Sequence, residues 1–381
     1  MSTMAALPRG YRRLFAAGAT ALLLTIGCAA PPASATAAEL DTAITAAMQA
    51  TGVPGVIVGV WSPRGDYVRA FGVADTATGA PMQTDFYSRI GSETKTFTIT
   101  AVLQLADQRR IGLDDAIGRY LDGVPGGDAI TVRQLAGMRS GLANYTETQG
   151  FRDAITADPY REYSPAELLG FAFAEPPVFP PGEGLQYSNT NTILLGLLVE
   201  KISGMRLGDY LRENVLAPLR LSHTSFPSGA EFPAPHAQGY TELTDDGPPI
   251  TATDWNTSWS WSAGAMISTL ADLHTWAPAV ATGALLSPEM QRQRLQTVHE
   301  DGLPPDVGYG LGIFTVGGWI GHNGSIPGYQ TVVVYQPDTR TTLAILTNSD
   351  ISPPGGGEAS SALAEAITNV LTPEHVYHLG P

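Results

Sequence analysis

Cysteine and lysine are the scarce residues of this 381-residue chain. Cys28 is the only cysteine, so no disulfide framework can form within the chain and no cysteine-rich metal site can be built. Lysine occurs twice, as Lys95 and Lys201; the other cations are arginines. Positive charge is short overall, with 21 Lys+Arg against 36 Asp+Glu and a formal charge of -15. That balance argues against a nucleic-acid partner, which needs basic surface to displace counterions. Between Arg294 and Arg340 there is no Lys or Arg at all. A G-x-S-x-G nucleophile elbow and an H-E-x-x-H zinc motif are also absent. What the chain does have is 43% hydrophobic residues, too many for intrinsic disorder, and 42 Gly with 29 Pro, which predicts many turns rather than one long helical array. The length allows one large domain or two intimate lobes with ample core.

The first segment reads as an address. Arg9, Arg12 and Arg13 precede an uncharged, largely apolar run over 14–26, too short for a comfortable membrane span, so 1–27 is expected to be an export signal. Thr25-Ile26-Gly27-Cys28 resembles a lipobox, which would make Cys28 a lipidation site. Cleavage after Ala33-Ser34-Ala35 is the rival reading, and Arg12-Arg13 also resembles a twin-arginine signal. The expected location is therefore outside the cell or on the outer face of its membrane, with contact to lipid only through signal or anchor. Residues 28–38 read as a tether, and 39–381 as the folded domain.

Within that domain the spacing predicts a helix over 40–49, then a hairpin of strands 56–61 and 67–73 turned by Pro63-Arg64-Gly65-Asp66. Helices are predicted at 95–108, 129–136, 165–173, 190–202 and 207–215, and strand signals return beyond 273–280. Strands follow at 309–316, 329–336 and 340–348, and a helix over 359–371 closes the chain. The fold class is α+β. Residues 39–83 and 262–381 are expected to give an antiparallel sheet flanked by helices, and 84–261 a mostly helical lobe. A ligand cleft is expected between them.

Three short motifs carry chemistry. Ser92-Glu93-Thr94-Lys95 opens a predicted helix, so Ser92 and Lys95 share a face, and the helix start offers free N–H groups. A nucleophilic Ser needs that amine and those donors, although S-x-x-K alone is a weak signal. Tyr187-Ser188-Asn189 follows a Pro180-Pro181-Gly182 turn; an extended backbone there would point Tyr187 and Asn189 to one side. Taken singly, it equally describes a Tyr anchoring a loop. His322-Asn323-Gly324-Ser325 reads as a glycine-rich turn before the strand at Tyr329. His375-Val376-Tyr377-His378 has helical metal spacing but sits in a Pro- and Gly-bounded tail, so it is not taken as a site.

The three motifs in this order resemble the penicillin-recognising serine hydrolases, in the branch that holds class C β-lactamases, serine D-Ala-D-Ala carboxypeptidases, D-aminopeptidases and β-lactamase-like esterases. Ser140-Gly141-Leu142, Pro218-Leu219 with Thr224-Ser225-Phe226, and the segment 262–269 with Asp272-Leu273 resemble framing segments of the same family. The likeness spans about 40–371. Two departures stand out: a His-x-Gly third motif replaces the Lys-Thr-Gly of most β-lactamases, and Gly137-Met138-Arg139, which departs from the usual His-Thr before Ser-Gly-Leu, is read as peripheral.

The resemblance implies a β-lactamase/transpeptidase-like fold with its site in the cleft, no cofactor, and no metal. It implies Ser92 as nucleophile, with Lys95 and Tyr187 as its activating partners and the choice of base between them open. Asn189 would bond Lys95 or the substrate amide, His322 would polarise Tyr187, and the N–H groups of Ser92 and Ser325 would form an oxyanion hole flanked by Asn323 and Gly324. An imidazole at 322 predicts activity sensitive to pH around 6–7. The expected substrate is a cell-wall D-Ala-D-Ala peptide, with ester and β-lactam as alternatives and a penicillin-binding sensor of slow turnover as a non-enzymatic one. A monomer is expected. The missing cations before the third motif, where Phe314 and Val316 stand, count against a substrate carboxylate, and Trp255, Trp259 and Trp261 suggest either an aromatic cleft rim or plain packing.

Overall fold

The computed structural model describes residues 36–242, 247–299 and 304–380. The signal, the tether up to 35 and Cys28 lie outside the described residues. Helix α1 (Ala37–Thr51) starts at a capping box in which Thr36 and Glu39 satisfy each other's backbone amides. Strands β1 (Gly55–Ser62) and β2 (Gly65–Asp75) form the expected hairpin, and the short β3 (Ala80–Pro81) pairs outside β2. After β4 (Tyr87–Arg89), a 3-10 turn, Gly91–Glu93, leads straight into α2 (Thr94–Asp107).

Helices α3 (Val132–Ala136), α4 (Gln149–Ala157), α5 (Pro165–Phe173), α6 (Asn189–Ser203), α7 (Leu207–Leu211) and α8 (Ala217–Leu219) follow. Two short strands, β5 (Tyr240–Thr241) and β6 (Ile250–Thr251), pair with each other. Next come α9 (Trp261–Gly264), β7 (Ile267–Thr269), α10 (Leu270–Thr282) and α11 (Pro288–Arg294). The chain ends in β8 (Val307–Tyr309), β9 (Phe314–Val316), β10 (Trp319–Ile326), β11 (Tyr329–Gln336), β12 (Thr341–Thr347) and α12 (Ala359–Leu371).

Eight strands form one antiparallel sheet in the order β3-β2-β1-β12-β11-β10-β9-β8. Both of its faces are covered. Val56, Val58, Val332, Val334 and Ile345 join Leu40, Ile44, Leu363 and Ile367 of α1 and α12 in one core. Ile57, Val333, Ala344 and Leu346 face the other core, shared with α2, α6 and α10. Cover on both sides is why β11 and β12 read as continuous apolar runs rather than alternating ones. Helix α2 is buried almost all round, and packs on α6, α9 and the edge of β10.

The described residues belong to one compact unit. No helix among them is long and apolar enough to cross a membrane, and no group of three or more His, Cys, Asp or Glu among them could hold a metal.

Two expectations are corrected. The strand read over 309–316 is two strands, β8 and β9, because Gly310 and Gly312 turn the chain between them; a Cβ at Gly310 would stand 2.3 Å from the Arg294 carbonyl. The third motif lies not in a turn but inside β10, paired along its length with β11.

Candidate active site

Ser92 is the middle residue of the 3-10 turn, and the turn is pinned from outside. The Ile90 amide donates to the Met266 carbonyl (3.0 Å), Thr94 Oγ1 accepts from the Met266 amide (3.1 Å), and Thr98 Oγ1 donates to the Ser262 carbonyl (2.8 Å). One turn on, Lys95 is fully buried. Its Nζ lies 2.9 Å from Ser92 Oγ, 2.7 Å from Asn189 Oδ1 and 2.8 Å from the Ala263 carbonyl. Burial pushes its pKa well below the usual lysine value, because an ammonium loses hydration there. Two of the three neighbours are obligate acceptors and take two N–H bonds. The third tetrahedral position faces Ser92, and in the neutral amine that position is the lone pair.

Tyr187 comes from the loop before α6. Its ring lies under Lys95, with Nζ 4.7 Å from the ring centroid, and packs against Tyr309, Phe314 and His322. Its hydroxyl is closed off from water and has no partner at hydrogen-bond geometry among the described residues. Burial drives its pKa far up; the nearby Ser92 hydroxyl draws it back only in part. Tyr187 therefore keeps its proton in the resting site.

Met138 holds this loop. Its carbonyl accepts from the Gln186 amide (3.0 Å), and its sulfur lies 3.5 Å from both the Ser188 amide and Asn191 Nδ2. Met138 adopts φ +58° to do so. Residues 137–139, read from the sequence as peripheral, thus support the second motif directly.

Gly91 and Gly324 bring the first and third motifs together. Gly91 has φ +51°, and a Cβ there would lie 2.7 Å from the Ser325 amide nitrogen. A Cβ at Gly324 would lie 2.1 Å from the Ile90 carbonyl and 3.0 Å from the Ser92 amide nitrogen. The two backbones touch at positions where only glycine fits, so the amides of Ser92 and Ser325 share one wall.

His322 is buried. Its Nδ1 meets the Asn323 carbonyl, an acceptor, so Nδ1 carries the proton; Nε2 then accepts from Tyr309 Oη at 3.3 Å. Desolvation, then the Lys95 charge, push its pKa down to about 3. Two expectations change as a result. His322 reaches Tyr187 by ring packing, with no hydrogen bond between them, and burial moves the imidazole's titration below the expected pH 6–7. Asn323 Nδ2 donates to Glu358 Oε2 (2.8 Å), and Ser325 is exposed.

Several participants gave no signal in the sequence. The Ala263 carbonyl acts through backbone, Glu358 enters from the start of α12, and Asn144 and Thr146 reach Asn189 from a loop some 45 residues away. Glu93 is buried against Trp276 Nε1 (3.0 Å) with its carboxyl held well above the usual range by desolvation. The tryptophans are mainly packing: Trp255 is buried, Trp259 packs on Phe151, and Trp261 meets Phe226 edge-on.

Comparison with known proteins agrees with this geometry. The chain is 25% identical over 324 residues to "Penicillin-binding protein 4*" of Bacillus subtilis, covering 80% of this chain and 69% of that protein. By structure it is similar to a D-stereospecific amidohydrolase from Streptomyces sp., with TM-score 0.79, 30% identity, and coverage of 88% and 98% of the two chains. It is also similar to the D-amino acid amidase of Ochrobactrum anthropi SV3, with TM-score 0.76, 25% identity, and coverage of 87% and 98%. The Beta-lactamase family model matches residues 40–367. A match of that length, carried by motifs that the fold gathers at one buried amine, means that the chain belongs to the Beta-lactamase family, within the penicillin-recognising serine hydrolases.

Proposed function

We propose that this chain is a serine amidohydrolase that cleaves amides of D-amino acids or short D-peptides through an acyl-enzyme on Ser92. The observation that carries the reading is the 2.9 Å contact between Ser92 Oγ and a desolvated Lys95 whose other hydrogens are committed to Asn189 Oδ1 and the Ala263 carbonyl. This favours Lys95 over Tyr187 as the base, since Tyr187 is held protonated.

The steps follow from the atoms in place. Ser92 Oγ attacks the amide carbon and its proton passes to Lys95 Nζ. The oxyanion is received by the amides of Ser92 and Ser325, a kind of donor worth about 2.7–4 kcal/mol each. The C–N bond breaks, the Lys95 proton leaves with the amine, and Tyr187 Oη hydrogen-bonds the departing nitrogen. Water then attacks the ester and gives its proton to Lys95, Ser92 leaves the acyl group, and that proton returns to its Oγ.

The substrate class rests on charge and on likeness. Strands β8, β9 and β10 carry no lysine or arginine beside the third motif, and Arg294 is committed to the Thr96 carbonyl and Thr100 Oγ1. A terminal carboxylate would want such a cation, which disfavours the carboxypeptidase reading. Two structural relatives are named for D-specific amide hydrolysis. A monomer is part of the proposal. Export directed by 1–27, with Cys28 lipidated, accompanies the proposal.

The test is a panel of D-phenylalanine amide, its L enantiomer, a D-Ala-D-Ala peptide, a chromogenic cephalosporin and a short p-nitrophenyl ester, with Ser92→Ala as control. Preferred turnover of the D-amide, lost in Ser92→Ala, is expected. Faster release of D-Ala would favour the carboxypeptidase, preferred ester or cephalosporin turnover those alternatives, and an adduct without turnover the sensor.

A further inference from the structure

The amide of Asn189 sits where a wrong orientation would disable Lys95. With Oδ1 inward it accepts from Nζ; with Nδ2 inward it would press two hydrogens on the amine and compete with Ser92 for its lone pair. The groups behind it decide which way it faces. Asn144 Oδ1 accepts from the Asn189 backbone amide (3.0 Å), a group that can only donate, and Asn144 Nδ2 donates to Glu147 Oε1 (2.9 Å). The Asn144 side chain is therefore fixed oxygen-inward. Thr146 Oγ1 lies 3.0 Å from that oxygen and gives it its single proton. Having spent that proton, Thr146 can only accept from its other neighbour, so the atom of Asn189 at 3.1 Å must be Nδ2. Oδ1 is left facing Lys95.

Local structure agrees. Ser188, at the N-cap of α6, makes no side-chain cap bond, and Asn144 takes the first free amide of that helix in its place. The same loop is clamped to α6 by Thr190 Oγ1, which donates to the Ala143 carbonyl (2.7 Å) and accepts from the Tyr145 amide (3.1 Å).

We propose that Asn144 and Thr146, anchored by Glu147, are positioning residues that lock Asn189 carbonyl-inward and so keep the Lys95 lone pair for Ser92. The inference rests on the reading of Ser92 as a nucleophile activated by Lys95, but not on the identity of the substrate. It also separates two roles for the loop: Asn144 sets the chain direction, and Thr146 transmits it. A Thr146→Val variant keeps the shape and removes the acceptor, whereas Thr146→Ser keeps the hydroxyl.

The test uses the rate at which a fluorophosphonate labels Ser92, followed by intact mass across pH, so that it does not depend on the substrate class. Thr146→Val is expected to label about tenfold more slowly on the plateau, the effect of one lost hydrogen bond. Its acid limb should move to lower pH, because Nδ2–H against Nζ disfavours the ammonium. Thr146→Ser is expected to restore both. Thr146→Ala removes the same hydroxyl with less bulk and should behave as Thr146→Val does; thermal unfolding of each variant reports the folded fraction used to normalise the rates. Labelling of folded Thr146→Val and Thr146→Ala at the wild-type rate with an unmoved limb would overturn the positioning role alone. Failure of folded wild-type protein to label at Ser92 would overturn it together with the underlying reading.

Discussion

In the proposed mechanism Lys95 is a base in one step and a cation in the next. Burial lowers its pKa, and two fixed acceptors hold its lone pair on Ser92. The amine must be neutral to act, so activity should rise with pH through the lowered Lys95 pKa. No part of that limb is assigned to His322, because desolvation pushes its pKa down to about 3 and favours the neutral imidazole near neutral pH. In His322→Gln, kcat/KM should fall by about tenfold or less, as the Tyr309 contact is altered. Its acid limb should stay at the wild-type pH. A wild-type limb near pH 6.5 that disappears in His322→Gln would return the titration to the imidazole. The pH 6–7 dependence expected from an imidazole at 322 is at odds with its burial, which lowers the pKa. The identity of a histidine is visible in a sequence, whereas its desolvation by Tyr187, Tyr309 and Phe314 is not.

At the scale of elements, legibility followed local signals. Helix α5 occupies the expected 165–173, and it starts at a capping box in which Ser164 and Glu167 satisfy each other's backbone amides, with Pro165 in the first turn. Strand β11 was placed at 329–336 by its apolar run. Strand β10 was not seen, because Gly321, His322, Asn323, Gly324 and Ser325 break any alternation. Those residues are there for the Ser92 turn that β10 packs against. Gly324→Ala tests this: its Cβ would collide with the Ile90 carbonyl and force the Ser325 amide away from Ser92. Steady-state kinetics should show kcat reduced by about 100-fold or more, the cost of one misplaced oxyanion donor. Near wild-type kcat in Gly324→Ala would mean that the two backbones are not held together as described.

At the scale of the whole molecule, the site is assembled from segments far apart in sequence. Residues 92–95, 138–146, 186–191, 263–266, 309–325 and 358 meet around one amine. The three motifs carry their chemistry in adjacent residues and are legible as such; Ser140-Gly141-Leu142 and the segment 262–269 are legible only as framing segments, without the roles of Asn144, Thr146 or the Ala263 carbonyl. The supporting carbonyls and the Asn144–Thr146 pair exist as a site only once both cores have formed around the sheet and α2. Export would remove three arginines and no acid, taking the formal charge from -15 to -18. Of the chain's two lysines, the fold buries Lys95 with its Nζ against the Ser92 hydroxyl. The central claim is that this hydroxyl is the nucleophile, and intact mass with peptide mapping after fluorophosphonate treatment tests it most directly. One adduct on the wild-type protein, mapped to the peptide bearing Ser92 and absent from Ser92→Ala, is the predicted result. No adduct on folded wild-type protein, or the same adduct on Ser92→Ala, would contradict it.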